Sequence, residues 1–296
     1  MPVAVLINPI AGRRLTPADI RDRVELATRA IRSHGEEPVV HVTGAPGEGT
    51  SRARAAVEAG ARLVVAWGGD GTVNEVASGL VHGPAALGIV PAGSGNGLAR
   101  ELGIPRWPER ALARALEAPE RLIDAGELGG RLFVNVAGVG FDAWIARRFD
   151  ARGPGARRGF ITYAALVLEE SLTYRPHRYA VTTGGRTRTA DGTYFVTLAN
   201  SPQFGNGVRV APAARIDDGR LDLVVFHARS KPVALWRARR LMAGGLRTGR
   251  GVRMTAVEEV VIEHDNPLWF HVDGEPVQGS RRLVGRVLPK ALRIRG

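Results

Sequence analysis

The sequence has no cysteine, only two lysines, and no apolar run long enough to cross a bilayer. The first absence excludes disulfides and cysteine-ligated zinc or iron–sulfur centres. Spanning hydrocarbon would take roughly 18–20 consecutive apolar residues, and the opening MPVAVLINPI has no basic segment ahead of its apolar run, as a secretory leader would. The expectation is a soluble cytoplasmic protein. Low-complexity linkers and repeats at solenoid or propeller periods are also missing. Lys231 and Lys290 are the only lysines and neither stands in Gly-Lys-Ser/Thr, so there is no Walker A loop. The protein-kinase signatures Val-Ala-Ile-Lys and His-Arg-Asp are absent as well.

What is present is a 296-residue chain, 44% hydrophobic and 24% charged, enough for two ordinary domains with their own cores. The net charge of +12 is unevenly placed: residues 1–125 hold 14 basic and 14 acidic residues, whereas residues 126–296 hold 27 and 15. Two domains with different partners are implied. Short β-rich runs at Val3–Ile7, Val39–Val42, Leu63–Trp67 and Ala86–Val90 alternate with helical patterns at Thr16–Ser33, Ser51–Ala59, Val73–Leu80 and Pro108–Glu117. Such alternation predicts a three-layer α/β domain over residues 1–122, with ligands at the carboxyl ends of its strands. Beyond it, helices at Asp142–Phe149 and Phe160–Leu172 precede β-like runs at Arg178–Thr183, Thr193–Leu198, Leu221–Phe226, Ala256–Ile262 and Leu268–Val272. Hairpin turns are expected at Gly184-Gly185, Asp191-Gly192, Asp218-Gly219 and Asp273-Gly274. Residues 123–286 therefore read as a mainly antiparallel β domain.

Three strand ends of the first domain open into turns suited to phosphate. They are Asn8-Pro9-Ile10-Ala11-Gly12, Gly68-Gly69-Asp70-Gly71-Thr72, and Pro91-Ala92-Gly93-Ser94-Gly95-Asn96-Gly97. Glycine lets backbone N–H groups approach a ligand closely, and a following helix N-terminus adds partial positive charge. Any α/β sheet needs some glycine at such turns, but three on one edge point to a nucleotide. Asp70 among them would repel phosphate unless a divalent cation stood between, which points to Mg²⁺. Gly138-Val139-Gly140-Phe141-Asp142-Ala143 lacks the acidic residue about 20 positions on that a dinucleotide fingerprint needs.

The ordered set of motifs resembles the diacylglycerol kinase catalytic family, which includes bacterial lipid kinases and the sphingosine and ceramide kinases. The match runs through Asn8–Gly12, Gly68–Thr72 with Asn74-Glu75, Gly93–Asn96, Phe133-x-Asn135 leading to Gly138–Ala143, Asn200–Gly207, Pro212–Asp222 and Asp273-Gly274-Glu275. Gly-Gly-Asp-Gly-Thr alone would not separate this family from NAD kinases. The resemblance implies an ATP site between the two domains, with the C-terminal residues about 287–296 packing back on the first, and transfer of the γ-phosphate to a lipid hydroxyl. It places ATP contacts at Asn8, Pro9, Ile10, Ala11, Gly12, Thr43, Gly68, Gly69, Asp70, Gly71, Thr72, Val73, Asn74, Glu75 and Ser94. Asp70 would organise Mg²⁺ and phosphate, Asp124 matches a second carboxylate near the cleft, and Glu275 matches the general base. Asp218, with backbone oxygens of Arg215 and Arg220, matches a structural metal site.

Each assignment has a plainer reading. Asp124 could be a turn residue, Asp217-Asp218-Gly219 an ordinary turn, and Asp273-Gly274 a hairpin turn beside an exposed Glu275. Asn96 is followed by Gly97 where many bacterial diacylglycerol kinases carry aspartate, which leaves the acceptor open among diacylglycerol, long-chain bases and other lipid alcohols. An NAD kinase-like or non-lipid kinase, and a lipid- or nucleotide-binding regulator without turnover, are the alternatives. No nucleic-acid recognition motif accompanies the charge, so no nucleic-acid partner is expected; a homodimer stays open.

From Leu223 to Val257 there are eight basic residues and no acid. Val233, Leu235, Trp236, Leu241 and Met242 interleave with arginines there, which suits peripheral contact with an anionic membrane face. An amphipathic helix packed on the β domain would give the same pattern. A second arginine cluster, Arg147, Arg148, Arg152, Arg157 and Arg158, surrounds an expected loop at Gly153-Pro154-Gly155.

Overall fold

The computed structural model describes residues 1–12, 14–152, 160–205, 207–241 and 243–296. The expected loop at Gly153-Pro154-Gly155, with Arg157 and Arg158, and Met242 fall outside the described residues. The chain forms two compact units, Met1–Ile123 with Lys290–Gly296, and Asp124–Pro289.

The first unit holds β1 (Pro2–Ile7), α1 (Pro17–Ser33), β2 (Glu37–Val42), α2 (Glu48–Glu58), β3 (Leu63–Gly68), α3 (Asp70–Leu80), β4 (Ala86–Pro91), α4 (Gly97–Glu101) and α5 (Pro108–Glu117). Its strands lie in the order β4, β3, β1, β2, all parallel. Arg293 and Ile294 pair in parallel with Ala86 and Leu87 on the far side of β4. Every residue of β3 and β4 is buried, as expected where helices cover both faces of a parallel sheet. α1 starts where it does because Thr16 and Asp19 form a capping box and Pro17 cannot continue the preceding backbone bonding.

The second unit contains the end of β5 (Glu120–Leu128), then β6 (Arg131–Phe133), β7 (Val136–Gly140), α6 (Phe141–Asp150), α7 (Phe160–Thr173), β8 (His177–Thr183), β9 (Arg186–Ala199), β10 (Gln203–Gly205), β11 (Val208–Arg209) and β12 (Leu221–His227). α8 (Lys231–Ala238), β13 (Val252–Val257), β14 (Glu259–Glu263), β15 (Trp269–Val272), β16 (Glu275–Gln278) and most of β17 (Arg282–Arg295) complete it. The 14-residue β9 is its spine, pairing antiparallel with β7, β8 and β12. Side chains alternate along it: Val196 and Leu198 join one apolar core with Leu223, Ile262 and Phe270, and Phe195 and Ala199 join another with Val224, Phe226 and Tyr174. Burial on both faces over residues 193–199 explains why the second half of this strand shows no apolar–polar alternation.

Two turns and one strand of the sequence reading differ: Asp218-Gly219 lies between β11, which pairs with β10, and β12, which pairs with β9 and β13, so it is a turn without a hairpin. Asp191-Gly192 lies inside β9, where Gly192 has φ +65° and the pairing shifts register near Thr193, so glycine here makes a bulge rather than a hairpin. The run Ala256–Ile262 is divided between β13 and β14 at Glu258, because an apolar stretch does not reveal where a strand changes partner.

Candidate functional site

The parallel order places the carboxyl ends of β1, β2, β3 and β4 on one edge of the first unit. After β1 the chain moves to one side for β2 and to the other for β3, so β1 and β3 flank the topological switch point. The turns following them meet there: the Asn8 side-chain amide donates to Thr72 Oγ1 at 2.9 Å, and Asn8 Oδ1 accepts from the Ile10 N–H at 3.0 Å. Asn8 thus shapes the first turn while tying it to α3.

The turns approach each other through main chain. Gly12 has φ +74°, and a Cβ there would lie 2.3 Å from the Ala92 carbonyl oxygen. A Cβ on Gly93 would lie 2.6 Å from Gly69 Cα. Asp70, first residue of α3, accepts from the N–H groups of Asn96 (2.8 Å) and Gly97 (2.6 Å), one on each carboxylate oxygen. Asn96 holds the left-handed conformation (φ 52°) that aims those N–H groups, and its side chain bonds both N and O of Gly93. The carboxylate is therefore fixed in direction by the loop beside it.

The remaining expected nucleotide residues divide by role. Thr43 is buried and its N–H donates to Ile7 O at 2.9 Å. Ile10 and Ser94 are exposed on the turns, whereas Ala11, Thr72, Val73 and Asn74 are buried. The Glu75 carboxylate accepts from Gly47 N (2.7 Å) and Gly49 N (2.9 Å), so it caps the start of α2. Pro9 lies in the first of the three turns, and Gly68 and Gly71 lie in the second.

In the second unit, Asp124 is completely buried and its Oδ2 accepts from Gly219 N at 2.6 Å, while its own N–H donates to Ile216 O at 2.6 Å. Asp124 is the anchor of the turn carrying Asp217 and Asp218. Asp218 is exposed and accepts from Arg220 N at 3.1 Å, and the Arg215 guanidinium turns to Asp217 at 3.3 Å. Burial, and then the charge of Asp218, raises the pKa of the nearby Asp222 carboxyl.

Glu275 opens β16 directly after the turn Asp273-Gly274, whose φ values of 48° and 89° are those of a tight hairpin. Asp273 accepts from three buried main-chain N–H groups, Val134 and Asn135 at 2.8 Å and Val136 at 3.0 Å, which pins the turn. A second support lies beneath: His271, 2% exposed, accepts from Gly274 N at 3.3 Å through Nδ1. That leaves its proton on Nε2, 3.3 Å from Asp142 Oδ2 though off the line of a hydrogen bond. Asp142 is itself held by Thr197 Oγ1 (2.7 Å) and Ala143 N (2.8 Å). Replacing Asp273 by alanine strands three buried donors; a loss of about 2–4 kcal/mol is expected, read from the urea midpoint of the second unit.

Comparison with known proteins matches these residues to two domain families. Residues 2–128 match the diacylglycerol kinase catalytic domain, and residues 135–296 match the YegS C-terminal NAD kinase beta sandwich-like domain. A Chromohalobacter salexigens protein named probable lipid kinase YegS-like is 35% identical over 86% of this chain and 82% of its own. The chain belongs to the diacylglycerol kinase catalytic family, in its YegS-like branch. A Pseudomonas aeruginosa protein of the same name is 35% identical over 92% of this chain and 89% of its own. A crystal structure titled as a putative diacylglycerol kinase from Bacillus anthracis shares the fold, with TM-score 0.79 at 19% identity, covering 99% of this chain and 96% of the other.

Within this lipid kinase family the sequence motifs acquire physical roles that spacing alone did not give. Asn135 and Asn200 are buried polar residues that close the core of the second unit: Asn200 Nδ2 donates to the carbonyls of Asp124 and Val134 at 3.0 and 2.9 Å, and Asn135 Oδ1 accepts from Ser201 Oγ at 3.0 Å. The Asp142–His271 contact joins the Gly138–Ala143 motif to the strand that leads into Asp273-Gly274-Glu275, and the pairing of β7 with β15 brings them together.

Proposed function

We propose that this protein is an ATP- and Mg²⁺-dependent lipid kinase that transfers the γ-phosphate of ATP to a lipid hydroxyl. The observation that carries the reading is the set of main-chain turns at the switch point with Asp70 fixed among them. The first-turn N–H groups of α3 have no carbonyl partner within the helix, and they suit the phosphate chain of ATP. The donor set also suits Mg²⁺: Asp70 offers hard oxygen in a fixed direction, and Mg²⁺ commonly keeps several waters while binding one or two carboxylates. Bound there, the ion neutralises charge on the phosphates. The family resemblance assigns a second, structural cation to Asp218 with the backbone oxygens of Arg215 and Arg220, and the Asp218 charge that raises the Asp222 pKa supports a cation there. Among the described residues no three His, Asp or Glu side chains gather as a metal cluster, so both sites rest on single carboxylates with carbonyl or water oxygens.

In the reaction Glu275 takes the proton of the acceptor hydroxyl as its oxygen bonds to the γ-phosphorus and the bond to the β-phosphate oxygen breaks, releasing ADP. Asp273 and His271 hold the turn that presents Glu275. His271→Ala is expected to lower kcat for lipid phosphorylation roughly ten- to hundred-fold with KM for ATP unchanged. His271→Asn, whose amide oxygen can still accept from Gly274, recovers part of the loss; equal kcat in all three proteins refutes the role. The function itself is tested by Mg²⁺-dependent ADP release across lipid alcohols in mixed micelles, with glycerol and NAD included. Lipid-stimulated release supports the reading, and turnover only with NAD, or ATP binding with no turnover on any acceptor, refutes it.

A further inference from the structure

Helices α7 and α8 of the second unit carry large apolar side chains that the protein leaves in water. On α7, Leu168 and Leu172 are four residues apart, on one helical face, and are 61% and 60% exposed. On α8, Trp236 is 56% exposed, and Val233 and Leu235 are exposed beside it. Among the described residues of this stretch, Ala234 and, just beyond the helix, Leu241 pack into the core, so the reading of a helix turned onto the β domain holds for those two. The two helices adjoin, with the Lys231 ammonium at the start of α8 donating to the Leu172 carbonyl at the end of α7. Scattered exposed leucines are ordinary; five large apolar side chains on adjoining helices are not.

Charge says what would cover them. Arg239 lies over the Trp236 ring at 4.9 Å, and Arg229, Lys231 and Arg240 are exposed on the same stretch. No acid occurs between Leu223 and Val257. On α7 Glu169 is matched by Arg152 at 3.8 Å, and Glu170 is buried against Trp144 and Arg148. Apolar residues rimmed by arginine, with tryptophan between, are the composition of a surface that enters the headgroup layer of an anionic bilayer.

We propose that the α7–α8 face docks this protein on the anionic leaflet of a membrane, with Leu168, Leu172, Val233 and Trp236 in the headgroup–acyl boundary and Arg239 and Arg240 on lipid phosphates. The docking is independent of the catalytic assignment, because it involves none of the residues placed in the site. The full-length protein would be sedimented, without ATP, with vesicles of phosphatidylcholine alone and of phosphatidylcholine mixed with phosphatidylglycerol. Binding is expected only to the mixed vesicles and to weaken with salt. Each basic residue near an anionic surface is worth about five-fold in partitioning, so Arg239→Gln/Arg240→Gln is expected to weaken binding about twenty-fold. Leu168→Ser/Trp236→Ser is expected to abolish it, with the thermal midpoint kept because both sites face water. Arg282→Gln/Arg286→Gln removes the same charge from β17 and should leave binding within about two-fold if location rather than net charge decides. Equal binding to neutral vesicles, no binding at all, or equal losses in the two arginine pairs would overturn the proposal.

Discussion

Glu275→Gln is expected to reduce lipid-dependent ADP release by at least about a hundred-fold while leaving the thermal midpoint where it was. The substitution keeps the shape of the side chain and removes its ability to take a proton. The hairpin that presents it is held by Asp273 and His271, and the change leaves those contacts in place. Nucleotide affinity should survive as well, since the turns suited to phosphate belong to the first unit. Steady-state kinetics with a saturating acceptor, alongside an ATP titration, separate these effects. Undiminished turnover would remove Glu275 from the chemistry.

Asp70→Asn is expected to act on both chemistry and structure. The two carboxylate oxygens each accept one main-chain N–H, from Asn96 and Gly97. An asparagine has one oxygen, so its amide must face a second donor or turn away from it. A stability loss of about 1–3 kcal/mol follows from the stranded N–H. Lipid-dependent turnover should fall at least about a hundred-fold, because the charge that would direct Mg²⁺ and the loop that would line the phosphates are both disturbed. The stability change is measured by denaturant unfolding and the functional one by ADP release at saturating Mg²⁺. Wild-type turnover in this variant would exclude Asp70 from the nucleotide site.

The parallel sheet was legible because each of its strands is a short β-branched run and each intervening helix carries its own apolar period. The turns at its edge were legible because glycine clusters are rare signals with few uses. Less of the second unit could be read. The first half of β9 is exposed and polar, so Asp191-Gly192 looks the same whether the chain turns back or bulges and continues, which is why Gly192 passed for a hairpin. Side-chain roles were the least legible. Nothing in the spacing of Asp124 shows that it anchors Gly219, nothing near Glu75 shows that it caps α2, and the meeting of Asp142 with His271 depends on a strand pairing that no local pattern encodes. The exposure of Trp236 was equally hidden, since an apolar residue among arginines looks the same whichever way the helix is turned.

The edge of the first unit is assembled by backbone meeting backbone: Gly12 against Ala92, Gly69 against Gly93, and two amides on Asp70. Such a surface is indifferent to residue type except where an added carbon would intrude or where Asp70 itself must stand. The positions that tolerate least change are therefore a few glycines and Asp70, with Ile10 and Ser94 exposed beside them. A side chain added at Gly12 or Gly93 would push two turns apart without touching any ligand, so the shape of this edge can be lost at positions that carry no chemistry.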